Sequence, residues 1–148
     1  MKTIYRLELD KNYIKQVQEA TETTHDFGLE PTHGIFASAE WWQHIGDGTL
    51  PVHHLKGRIS SLQMGSMNDW PEFTLRSEEG KEFTWSRYAN SPELAGLYTV
   101  GRPTEVDYVV QRHRATFLGP GTHVAIPIVI RVDETFEEKK ERRGEGQI

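Results

Sequence analysis

Hydrophobic and polar positions change their period along the chain, and the changes mark the elements. In TIYRLEL, Tyr5, Leu7 and Leu9 alternate with Arg6 and Glu8, a period of two that predicts a half-buried strand. Asp10 follows where an N-cap belongs, and Tyr13, Ile14, Val17 and Ala20 then recur at helical spacing. The threonine-rich end of that segment weakens the helix, and FGLEPTHG reads as a loop. SAEWWQHIGDG predicts a short helix, with Ser38 as its cap and Gly46 and Gly48 as its stop.

From Pro51 the pattern turns to strands. In HLKGRISSLQM, Leu55 and Ile59 occupy one phase while Leu62 and Met64 occupy the other, which predicts a β-bulge or sharp bend near Ser60 and Ser61. PEFTLRS places Phe73 and Leu75 on one face. EEGK is a hairpin turn, and EFTWSRY turns Phe83 and Trp85 inward. SPELAGLY predicts a one- or two-turn helix capped by Ser91 with Pro92 in its first position. TEVDYVVQRHR alternates through Val106, Tyr108 and Val110. In HVAIPIVIRV, Val124, Ile126, Ile128, Ile130 and Val132 share a face, and Pro127 points to an edge position or a bulge.

A long bent strand, two strands in a meander, a short helix and a closing pair form an order that resembles the OB-fold, a five-stranded, partly open Greek-key barrel. The resemblance covers roughly residues 51–132 and rests on element order alone. It implies a mainly β chain with short helices and a five-stranded OB-like barrel; an SH3-like barrel or an open sandwich is the alternative. Residues 1–50 are then a strand–helix–helix extension, expected to pack on the barrel through Tyr5, Leu7, Trp41 and Trp42. Residues 133–148, charged and poor in apolar side chains, read as a flexible tail.

At 148 residues, 36% of them hydrophobic, the chain suits one domain with short appendages. With no cysteine, disulfides, thiolate metal sites and thiol nucleophiles are excluded. MKTIYRLELDK has no apolar core of a secretory signal, and no eighteen apolar residues run together, so a soluble cytoplasmic protein without membrane association is expected. The net charge of −5 is uneven. Residues 1–50 hold four Lys or Arg against eight Asp or Glu, residues 51–131 nine against eight, and residues 132–148 four against six. A chain built to neutralise many phosphates shows a basic excess, which is missing here.

Seven histidines raise the question of a metal, but there is no His-Glu-x-x-His. His53 and His54 are adjacent on a strand and face opposite ways, so only one of them fits a given site. A metal-dependent enzyme using His44, His53 or His54 stays an alternative, and no cofactor is expected. No Gly-x-Ser-x-Gly elbow is present, and Glu78 and Glu79 lie in a turn without the burial a general acid needs. The GDG and GPG runs read as turns. Single-stranded nucleic acid, the ligand the OB resemblance implies, is a further alternative. However, the outward phase of the second and third barrel strands offers only Tyr88 for stacking and carries two carboxylates, Glu72 and Glu82. Arg112, with His113 and Arg114, is the remaining candidate for anion contact.

The run QMGSMNDWPEFTL combines turn formers with large apolar residues. In an OB-like barrel the loops 64–71 and 115–122 border the ligand face. Met67, Asn68, Asp69 and Trp70 lie in the first, Phe117 and Leu118 in the second. A contiguous apolar patch there would mark an interaction site, and tryptophan is enriched at interface hot spots. The expectation is a non-enzymatic binding module that meets a protein partner or a second copy of itself through these loops, with Tyr88 and Arg112 beside them.

Overall fold

The computed structural model describes residues 1–23, 29, 32–65, 68, 70–112 and 123–137. Among the described residues the fold class is the expected one, mainly β, with six strands and three short helices. Six strands form one sheet: β1 (Lys2–Arg6), β2 (His53–Met64), β3 (Pro71–Ser77), β4 (Glu82–Ser86), β5 (Pro103–Arg112) and β6 (His123–Val132). Their order is β1-β6-β5-β2-β3-β4, so β1 and β4 are edges and the sheet is not closed into a barrel. The departure from an OB barrel lies at the last strand. β6 takes the N-terminal β1 as its second neighbour instead of β4.

The chain divides into two compact units. One comprises Met1–Tyr5, Leu55–Val106 and Val129–Ile148; the other comprises Arg6–His54 and Asp107–Ile128.

In the first unit the period-two readings hold. β2 and β3 pair antiparallel, and the register steps from Ile59↔Leu75 to Ser61↔Thr74. Ser60 is therefore the extra residue of a bulge, where the phase change in the sequence put one. Gly57 is required by a close approach, because a Cβ there would stand 2.1 Å from the Arg76 carbonyl oxygen. β3 and β4 form the expected hairpin, with Gly80 at φ +87° and the Ser77 amide bonded to the Lys81 carbonyl at 2.8 Å. Its turn lies on the left-handed conformation that glycine adopts without strain. Inward-facing Phe73, Leu75 and Trp85 are buried, and Phe83 stacks on Trp85 at 5.5 Å. Phe73 also meets Tyr98 at 4.7 Å. Helix α3 (Pro92–Ala95) begins as read, with the Ser91 hydroxyl accepting from the Leu94 amide.

Asp133 to Glu137, the start of the segment read as a tail, form a turn. The Asp133 carboxylate accepts from the Thr135 amide and hydroxyl at 3.0 and 2.6 Å, and Phe136 lies under the guanidinium groups of Arg58 and Arg102. Arg102, itself buried, donates to the Asp133 carbonyl at 2.6 Å.

In the second unit, Asp10 caps α1 (Lys11–Thr23) through the Tyr13 amide, and Ser38 caps α2 (Ala39–Gly46) through the Trp41 amide. Phe36 and Trp41 are buried edge to face at 5.0 Å, and the Gln18 side chain donates to the Phe36 carbonyl.

Three readings are corrected. Leu7–Leu9 is a single 3-10 turn and not strand; Leu7 is buried while Leu9 is exposed. The chain leaves β1 at Arg6 because the Asp10 amide closes back on the Leu7 carbonyl at 2.9 Å. In β5, Val106 is buried as expected, but the next inward residues are Asp107, Val109 and Gln111, and Val110 is exposed. The phase changes because two polar side chains are satisfied inside. Asp107 bonds His54, and Gln111 accepts from the Trp41 indole at 3.0 Å. Pro127 lies in an interior strand, between neighbours β1 and β5, and is buried. β1 has five residues to ten in β6, so at most half of β6 pairs with β1, and a position outside that pairing can take a residue without an N–H.

Candidate protein-contact surface

Of the residues singled out in the loops, Asn68 and Trp70 are described; Met67, Asp69, Phe117 and Leu118 lie outside the described residues, as does the whole 115–122 loop. The β2–β3 loop closes tightly. The Gly65 amide donates to the Trp70 carbonyl at 2.6 Å, and the Asn68 amide to the Gly65 carbonyl at 3.0 Å. Asn68 sits at φ +58°, a left-handed position that asparagine tolerates better than most residues.

This backbone sets Trp70 on the outside. Its side is not a plug, for the residue is 58% exposed, while its indole N–H donates to the Ser86 hydroxyl at the end of β4. One end of the ring is thereby fixed and its apolar faces stay in water. Met64, the last residue of β2, is 43% exposed in the same unit and pairs with Pro71, the residue after Trp70. Two large apolar side chains thus flank one strand junction. Burying an aromatic or methionine side chain gains roughly 1.5–3 kcal/mol, so leaving both wet is unfavourable for the isolated protein.

Arg87 holds the base of this loop. Its Nε donates to the Glu72 carbonyl at 2.7 Å and its Nη2 to the Gln63 carbonyl at 3.1 Å, while its amide bonds the Pro71 carbonyl. A charged donor on two backbone carbonyls ties the ends of β2 and β3 together. No sequence signal marked Arg87, since an arginine after a strand has many possible partners. Tyr88 stacks on Tyr5 at 5.0 Å between ring centroids, and its carbonyl accepts from the Tyr98 hydroxyl at 2.5 Å. Tyr98 is 4% exposed, and burial pushes its phenol far above the ordinary value, so it stays a donor at every physiological pH. Tyr88 is thus engaged within the fold, which weakens its reading as a stacking platform for bases.

Arg112 is exposed at the end of β5, in the other unit. In that unit His53 stacks on Tyr108 at 5.2 Å, and the neighbouring His54 bonds the carboxylate of Asp107. The two histidines point apart, as strand geometry requires. His44 lies between Glu40 and Asp47 at 3.7 and 3.9 Å and meets the His33 ring edge to face. Hydrogen bonds from the Thr49 hydroxyl and amide hold the Asp47 carboxyl below its ordinary value. Among the described residues, no group of three or more His, Asp or Glu is placed to hold a metal ion. Among the same residues, no helix is long and apolar enough to cross a membrane.

Comparison with curated proteins gives no match. The model of a family described as Immunity protein RhsI2 matches residues 1–132.

Proposed function

Since the chain belongs to the RhsI2 immunity protein family, we propose that it acts by binding a toxin protein and blocking it, without catalysing a reaction. The observation that carries this reading is the extent of the match, which takes in every element of the fold from β1 to β6. Two features of the structure support it. Trp70 and Met64 stand in water at one strand junction, the kind of anchor that binding hot spots use. Arg87 and the closed loop hold Trp70 in place before any partner arrives, which lowers the entropy lost on binding.

The contact surface in this reading is the β2–β3 loop with its neighbours: Asn68 and Trp70, together with Met67 and Asp69 from the sequence. Phe117, Leu118 and Arg112 extend the proposal to the β5–β6 connection.

Mixing the purified chain with its cognate toxin tests the function. A stoichiometric complex by sedimentation, with toxin activity lost in proportion to complex formed, is the expected result. Protection of cells from the toxin without any complex in solution would sink the binding reading and favour an enzymatic one.

A further inference from the structure

A second surface of the first unit has a different character. A cleft of about 510 Å³ is walled by β2 from Lys56 to Ser60, by the end of β3 from Arg76, and by β5 from Pro103 to Glu105. Lys56 and Arg58 are exposed and alternate with Gly57 and buried Ile59, so both project from one side of β2. Arg58 stands directly opposite Arg76 in the β2–β3 register, and Arg76 is also exposed. Directly opposed residues leave a sheet on the same side, and like charges placed so are destabilising.

Neither arginine forms an ion pair among the described residues. Arg58 donates to the Gly101 carbonyl at 3.0 Å and lies 6.0 Å from the Phe136 ring centre, neither of which is a charge. Arg76 on β3 stands directly opposite Glu82 on β4, which offsets part of its charge although the two form no ion pair, and Lys56 forms none either. A chain of net charge −5 thus gathers three cations along one open cleft, with Arg58 and Arg76 directly opposed.

We propose that this cleft docks an acidic side chain, flanked by apolar ones, from a segment of the toxin. A carboxylate between Arg58 and Arg76 accepts from both forks and removes their repulsion, and Lys56 adds a third donor. Exposed Met1 and half-buried Pro103, which also line the cleft, offer the flanking residues an apolar surface. A polyphosphate chain fits less well, because Glu78 and Glu105 line the same cleft and repel the charges that follow the first. The inference deepens the toxin-binding reading and rests on it for the identity of the partner.

The test uses no toxin, so its failure is separable from failure of that reading. The full chain, labelled with ¹⁵N, is titrated at low salt with a capped Leu-Glu-Leu peptide and, in parallel, with inorganic phosphate and oligothymidylate at equal total charge. Saturable shifts at Gly57, Arg58, Arg76 and Ser77 with the peptide are expected, at a midpoint at least tenfold higher in Arg76→Gln. Lys56→Gln, also at an exposed position, weakens binding several-fold. The dispersion of the remaining spectrum reports whether each variant is folded. Absence of shifts in the cleft, or an unchanged midpoint in folded Arg76→Gln, overturns the proposal. Equal response to phosphate, or tighter response to oligothymidylate, overturns it as well and identifies an anion or nucleic-acid site instead.

Discussion

Trp85 and Trp70 belong to neighbouring parts of one strand meander, and the indole of Trp70 bonds the residue next to Trp85, yet they have opposite surroundings. Trp85 is 7% exposed and packs on Phe73 and Phe83; Trp70 is 58% exposed and has a polar anchor at one end only. The difference comes from backbone, not from the side chain. Trp85 lies within β4, where the pleat sends every second residue to the core. Trp70 lies one residue before β3, where loop hydrogen bonds and not the pleat decide its direction. A strand aromatic serves stability, whereas an aromatic held outward by a closed loop is available for a partner. Phe136 is an intermediate case: it follows β6 in a turn, and that turn brings it back under two guanidinium groups.

The largest expected effect tests the buried half of the comparison. Trp85→Ala should lose about 3–5 kcal/mol in denaturant unfolding, the range for an aromatic deleted from a core. A loss well under ~1 kcal/mol would show that β4 does not pack as described. Next comes the exposed half. Trp70→Ser should change unfolding stability by no more than about 0.5 kcal/mol, as surface substitutions do, while weakening toxin binding by about 2 kcal/mol, roughly thirtyfold. Titration calorimetry alongside thermal unfolding separates the two effects. Stability lost with affinity intact would make Trp70 a structural residue like Trp85.

The intermediate case should show an intermediate loss. Phe136→Ala removes two cation–π contacts worth about 0.5–1 kcal/mol each, so a loss of about 1–2 kcal/mol on unfolding is expected. The smallest effect concerns the turn that carries Phe136. Hydrogen bonds from the Thr135 hydroxyl and amide hold the Asp133 carboxyl below its ordinary value. A depressed carboxylate contributes stability above its unfolded pKa and loses it as pH falls through the folded one. The stability difference between the parent chain and Asp133→Asn should therefore be present at neutral pH and vanish in acid, below the aspartate range. A difference that persists at pH 2 would mean that the carboxylate charge plays no part in the turn.

How much of this was legible beforehand depended on the range of the interaction. The caps at Asp10, Ser38 and Ser91, the Gly80 hairpin and the bulge at Ser60 all follow from residues a few positions apart, and each formed where it was read. Phe73 and Trp85 went inward because alternation within a strand is itself local. The proposed contact surface was legible only in part. The run around Trp70 stood out for its mixture of turn formers and apolar residues, but nothing in it distinguished a plug from a presented ring. Arg87 and Phe136 carried no signal, since each acts on residues far along the chain.

From the sequence alone came the class of the fold, the ends of most elements and the phase of β3 and β4, because steric and hydrogen-bonding preferences of neighbouring residues settle those within one or two turns of chain. Tertiary structure decided the rest. It placed β1 beside β6 and so left the sheet open, it drew Asp107 and Gln111 inward to partners at His54 and Trp41, and it set Arg58 opposite Arg76. Each of these depends on which strand lies beside which and in what register. Such pairing is chosen by the free energy of the whole packed sheet, which no single stretch of residues contains.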